Sequence, residues 1–109
     1  MNGKDRPIMI YTTFAKKEDA KQVGTCLVSE NLAACVNISA EVTSIYHWQG
    51  KVAEEGEVVM LIKSRSSVKS ALSSRLKELH PYETPAIFII KGEAVGAEYW
   101  QWICAQTSA

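Results

Sequence analysis

Few residues in this sequence can carry chemistry. The candidates are two histidines, His47 and His80, three cysteines, Cys26, Cys35 and Cys104, and a scatter of carboxylates. Neutral imidazole is a common ligand for copper and zinc. His80 ends an amphipathic segment just before Pro81, and Glu83 follows three residues on, so imidazole and carboxylate form a candidate metal pair. The same histidine could instead sit at a helix C-terminus and satisfy late carbonyls and the helix dipole. One imidazole with one carboxylate does not make a tight, selective transition-metal site. His47 lies between Tyr46 and Trp48. Strand alternation sends it to the opposite face from those aromatics, as a solvated or interfacial histidine.

Cys35 sits in the apolar run LAACV, without the electropositive setting a reactive thiolate needs. The cysteine count is odd and no two cysteines stand at metal-ligand or redox-motif spacing, so they read as reduced, buried, small apolar residues. Lys63 closes the run VVMLIK. A cation there could hold an anionic ligand together with Glu57, Tyr82 or Glu83, or it could snorkel at a sheet edge. No Gly-rich phosphate loop, G-x-S-x-G elbow or H-E-x-x-H motif is present, and Arg6-Pro7 precedes Ile8 without a Gly-rich anion cradle. An enzyme is not expected.

The elements that must position these residues follow from periodicity. Ile8–Phe14 is a β-branched and aromatic run, a buried strand. Lys16–Asn31 places Ala20, Val23, Leu27 and Asn31 on one helical line, with Gly24 and Val28 beside it and no clear capping residue. Ala34–Trp48 and Lys51–Ser64 are long β-type stretches around Gln49-Gly50, a hairpin signal in which Gly50 takes positive φ. Glu54-Glu55-Gly56 interrupts the second stretch and predicts a bulge or bend. Ser64–His80 is a second helix with Val68, Leu72, Leu76 and Leu79 inward, Ser64 or Ser66 as N-cap and Pro81 as its stop. Ala86–Lys91 is a last strand, and Gly96 onward is a terminal helix in which Tyr99, Trp102 and Ile103 share a packing face and Trp100 points elsewhere. The order is β-α-β-β-α-β plus a helix, the ferredoxin-like split β-α-β arrangement of an α+β protein, read as one domain over residues 1–109.

Length then argues for self-association. Fifteen strand residues reach roughly 50 Å. A compact chain of this size is about 34 Å across. The hairpin must overhang or bend, and isolated two-stranded ribbons are marginal in water. Tyr46 and Trp48 near its tip are typical interface anchors.

Charge narrows the partners. Twelve basic residues balance twelve acidic ones, so no field of one sign steers the protein to nucleic acid or an anionic membrane. An RRM-like RNA binder shares the element order but would need RNP-type aromatics on its strands. Met1–Pro7 is polar and Ile8–Tyr11 is far shorter than a signal-peptide core. No run approaches a membrane span, and a reducing cytoplasm is the expected location.

Five segments carry a family likeness: Leu32–Asn37 (LAACVN), Ser44–Lys51 (SIYHWQGK), Ile62-Lys63, Glu78–Pro85 (ELHPYETP) and Tyr99–Ile103 (YWQWI). In order and spacing, from about Tyr11 to Thr107, they resemble the CutA divalent-cation tolerance proteins. The resemblance implies a ferredoxin-like fold close in shape to the PII signalling proteins. It also implies a tight homotrimer in which the hairpins extend the sheets of neighbouring subunits. The family is linked to tolerance of divalent cations, copper above all, with no reaction assigned. On that basis Tyr46, Trp48 and Trp100 are expected at subunit contacts. Copper or another divalent cation is expected at His80 and Glu83, with no organic cofactor. The alternative is a PII-like regulatory module that takes a small anionic ligand or a protein partner in an inter-subunit cleft of Lys63, Glu57 and Tyr82. Some family members carry histidine at the position of Leu79 and cysteine at that of Thr12, and this sequence has neither.

Overall fold

The computed structural model describes residues 5–108. Strand β1 spans Pro7–Phe14, and Ile8, Ile10, Thr12 and Phe14 turn their side chains to one buried face. Helix α1 spans Lys17–Ser29, with Ala20, Val23, Gly24 and Leu27 inward and Glu18 and Asp19 at its dipole-favoured first turn. Its N-cap, Lys16, makes no side-chain bond. The chain leaves the helix through Asn31 at φ 62°, a left-handed conformation that asparagine tolerates well.

Strands β2 (Cys35–Trp48) and β3 (Lys51–Arg65) form the hairpin. Trp48 pairs with Lys51, and both turn residues have positive φ, Gln49 at 50° and Gly50 at 79°. This is the type I′ geometry, whose twist matches that of the strands. The expected irregularity at Glu54–Gly56 is absent, because these residues pair in regular register with Ile45, Ser44 and Thr43. The bulge lies instead on β2 between Ile38 and Glu41, where the Val59 N–H donates to Ser39 Oγ at 2.8 Å. A serine hydroxyl there replaces the ladder partner that the extra residue displaces.

Helix α2 covers Lys69–Leu79 after a short 3-10 turn at Ser66–Val68. Ser64 is not a cap. It is a fully buried strand residue whose hydroxyl donates to the Leu32 carbonyl at 2.8 Å. Neither serine caps α2, whose N-cap, Val68, makes no side-chain bond; the N–H of Ser67 in the preceding 3-10 turn is taken by Asp5 instead. The Asp5 carboxylate accepts from Ser66 Oγ, the Ser67 N–H and Ser67 Oγ at 3.0–3.1 Å, and from Arg65 at 2.9 Å. Arg65 also donates to Thr107 Oγ1 and to the Thr107 carbonyl, at 2.7 and 3.2 Å, so one guanidinium ties both ends of the described chain together. Burial alone would raise the Asp5 pKa, but Arg65 and the serine and N–H donors hold it below the usual carboxylate value.

Strand β4 is Phe88–Lys91 and helix α3 is Ala97–Gln106. The antiparallel sheet runs β2-β3-β1-β4, the ferredoxin-like order. α1 and α2 cover one face, where Ile10, Phe14, Leu27, Met60, Ile62, Leu72 and Leu76 form the core. Gly24 lets α1 approach β2 closely, since a Cβ there would stand 2.8 Å from Val36 Cγ2. α3 packs at the Arg65 end of β3, with Ile103 buried and Lys63 Nζ 5.7 Å from the Tyr99 ring centroid. Tyr99 and Trp102 stack at 5.5 Å but remain exposed, and Trp100 is half-buried. The packing face expected of Tyr99, Trp102 and Ile103 therefore reduces to Ile103.

The β1–β3 ladder ends at Phe14 and Val58, so Lys51–Glu57 pair with β2 alone. The hairpin runs out from the body, and with it the described chain measures 47 × 26 × 23 Å.

Candidate functional site

The alternation of the hairpin builds one wall of a cleft. Tyr46, Trp48, Glu55 and Glu57 share a face, because Ser44 faces Glu55 and Val42 faces Glu57 across the ladder. The other wall is the segment after α2, which Pro81 turns away from the helix. Its Tyr82 and Glu83 face the hairpin across a space of about 870 Å³. The cleft floor includes Thr13 at the end of β1.

His80 anchors the second wall from behind. It is buried, and its backbone has left the helix at φ −71°, ψ 133°. Its Nε2 lies 2.8 Å from the Thr13 carbonyl, which can only accept, so Nε2 carries the proton. Its Nδ1 accepts from the Tyr82 N–H at 3.1 Å. The ring stacks on Phe14 at 4.2 Å and 11°, and leans on Tyr82 at 4.8 Å. Burial lowers its pKa, despite the Thr13 carbonyl and the negative charge of Glu57, and keeps the imidazole neutral. In this arrangement neither ring nitrogen offers a free lone pair to a metal.

Tyr82 passes the connection forward. Its hydroxyl donates to Glu57 Oε2 at 2.7 Å. Burial, then the neighbouring Glu57, raises the phenol's pKa, so it stays a donor. Burial would raise the pKa of Glu57, but the hydroxyls of Tyr82, Ser44 and Thr13 and the nearby His80 lower it overall. Glu57 is therefore a carboxylate at neutral pH. Tyr46 donates its hydroxyl to Glu55, which raises the pKa of that phenol too.

The structure thus brings Glu57, Tyr82 and Glu83 to one cleft with Tyr46 and Trp48. It does not bring Lys63 there, because that ammonium lies over Tyr99. Among the described residues no three His, Cys, Asp or Glu side chains come close enough to hold a metal ion. Thr12 and Leu79 occupy core positions: the Thr12 hydroxyl is buried without a partner and Leu79 packs against the core cluster. The three cysteines are free and half-buried. Sequence reasoning missed Glu55 as a cleft residue. The signal was available, because a two-residue turn at Gln49-Gly50 fixes the register that puts Glu55 on the face of Tyr46.

A family model described as CutA1 divalent ion tolerance protein matches residues 8–106. The chain is 40% identical over 100 residues to the divalent-cation tolerance protein CutA of Pyrococcus horikoshii, covering 92% of this chain and 97% of that one. It is 38% identical over 93 residues to human protein CutA, of whose length it spans 52% while 85% of this chain is covered. The crystal structure of CutA1 from Ehrlichia chaffeensis superposes with a TM-score of 0.92 at 27% identity, over 98% of this chain and all of that one. CutA1 from Pyrococcus horikoshii does so with a TM-score of 0.89 at 38% identity, over 94% and 99%. Relatives are named from more than one compartment, including a chloroplastic CutA of rice and a periplasmic one of Archaeoglobus fulgidus. No helix among the described residues is long and apolar enough to cross a membrane. A match across nearly the whole sequence agrees with a shared ladder order, and the chain belongs to the CutA1 divalent ion tolerance protein family.

Proposed function

We propose that this chain works as a homotrimer in the tolerance of divalent cations, copper first among them, in the cytoplasm, and that it catalyses no reaction. The observation that carries the assembly is the overhanging hairpin. Ile45, Trp48 and Val52 on it are 66, 61 and 69% exposed, on both faces of a ribbon with no third strand. Phe88 and Ile90 add apolar surface on the free edge strand, on the sheet face that α1 and α2 leave open. Apolar ribbon and open edge are the complementary surfaces from which a closed ring of copies is built. Trp48 anchors that contact, with Tyr46 and Trp100 at its margins.

For the metal, the proposal names Glu83 at the cleft rim and His80 behind it. His80 becomes a ligand only when its Nδ1 gives up the Tyr82 N–H, so copper affinity is modest and falls with pH as imidazole is protonated. Light scattering tests the assembly: a mass three times 12.1 kDa is expected. Trp48→Ala should weaken association by at least about 2 kcal/mol, as for a buried aromatic hot spot. A wild-type monomer at micromolar concentration refutes the assembly. Identical copper titrations of wild type, Glu83→Gln and His80→Ala refute the two ligands.

A further inference from the structure

The hairpin leaves the body at a joint. The β1–β3 ladder ends at Phe14 and Val58, so Glu57 is the first residue of β3 with a partner strand on one side only. On β2 the register shifts between Ile38 and Glu41, directly across from that end. A bulge bends its strand and leaves the extra residue outside the ladder. Just beyond it, Gly56 brings no side chain to the ribbon, and a Cβ there would stand 2.6 Å from Glu41 Cδ. A ribbon that loses its third strand beside a bulge is free to swing, and two-stranded hairpins are marginal in water.

A strut from the body crosses this joint. Tyr82 belongs to the segment after α2, outside the sheet, and donates its hydroxyl to Glu57 Oε2 at 2.7 Å. The tyrosine is itself rooted. Its N–H donates to His80 Nδ1 at 3.1 Å and its ring leans on the imidazole at 4.8 Å. His80 in turn stacks on the buried Phe14 and donates to the Thr13 carbonyl at 2.8 Å. Hydrogen bonds to an ionised carboxylate are among the stronger ones. We propose that Tyr82 and Glu57 form a latch that fixes the angle of the hairpin on the free subunit, and that this latch sets how fast copies associate. The inference rests on the trimer reading. It concerns the chain before a neighbour is met, so the single chain is the species in which the latch acts. A ribbon held in one pose presents Ile45, Trp48 and Val52 to the next copy already ordered. An unlatched ribbon must find that pose within each encounter, which lowers the association rate.

Tyr82→Phe removes the latch hydroxyl and keeps both the ring on His80 and the backbone N–H bond. Chains refolding from urea at high dilution, pulse-labelled with deuterium before association, read the pose. The amides of residues 42–57 should exchange about tenfold faster in Tyr82→Phe, with those of β1 and α1 unchanged. Light scattering after the same chains are brought to micromolar concentration reads assembly, which should be about tenfold slower. In a Glu57→Ala background Tyr82→Phe should add nothing further, because the bond is already gone. Hairpin amides protected as in wild type, an unchanged assembly rate, equal losses of protection in the body, or full additivity of the two substitutions each overturn the latch. A wild-type chain that stays monomeric refutes the trimer reading instead, and the exchange result then decides alone whether Tyr82 holds the hairpin.

Discussion

Replacing His80 with leucine removes both ring nitrogens while keeping an apolar body of similar size against Phe14. The Thr13 carbonyl and the Tyr82 N–H each lose their partner. A buried polar group left unpaired costs about 1–3 kcal/mol. Thr13 is buried, so its carbonyl falls in the upper part of that range, whereas Tyr82 is half-buried and water can reach its N–H. Leucine against the Phe14 ring is nearly neutral in packing. The net expected loss is about 2–4 kcal/mol. Urea unfolding at fixed protein concentration reads it, since association contributes to apparent stability. The pH dependence then separates this histidine from a generic core residue. Its folded pKa is lowered, so below about pH 6.5 the unfolded chain binds a proton that the folded chain does not. Wild-type stability is full above that value and declines as the pH falls toward the folded pKa, by at most about 1.4 kcal/mol per pH unit for one proton. His80→Leu lacks this decline, so the gap between the two proteins narrows on acidification. A loss below about 0.5 kcal/mol, or a gap that does not change between pH 7 and 5, refutes the assigned tautomer and its two bonds.

Two further substitutions probe the frame. Asp5→Asn removes the charge that faces Arg65 in a pair whose carboxylate is 3% exposed, and should cost about 2–4 kcal/mol in thermal or urea unfolding; an unchanged midpoint would remove Asp5 as the anchor of Arg65 and the 3-10 turn. Because the Asp5 and Glu57 pKa values are both lowered, the stability these groups contribute is present above about pH 4 and lost as the pH falls below it, apart from the histidine window. Gly50→Ala places a Cβ at φ 79° and should cost about 1 kcal/mol, with no cost expected from contact because nothing lies within 4 Å; a neutral result would mean that the turn relaxes to another type.

The sheet, its order and the overhang were legible because each rests on a strong local signal. The β-branched and aromatic run Ile8–Phe14 marks a strand, and the Gln49-Gly50 turn and the Pro81 stop fix two boundaries by backbone sterics. Glu54–Gly56 misled because glycine in a strand reads as a bulge, whereas here Gly56 makes room for the Glu41 side chain and the register passes undisturbed. Ser39, at the real bulge, carries no such mark. The two serines read as caps do not cap α2, and the 3-10 turn before it is held by Asp5, some sixty residues away in sequence, a distance that periodicity cannot span. The cleft was half legible. Glu57, Tyr82 and Glu83 line one space within the chain, whereas the Lys63 ammonium lies over Tyr99, and a strand end alone does not say which way a four-carbon stem will lean.

The Arg65 clasp has a practical consequence. It holds Asp5 and Thr107 side by side at one pole of β3, while Lys51 stands fourteen residues from Arg65 at the other, roughly 46 Å along an extended strand. A dye attached at an exposed position beside Asp5 or Thr107, such as Ser108, therefore stands far from the Trp48 pole and reports on the clasp without touching the hairpin tip.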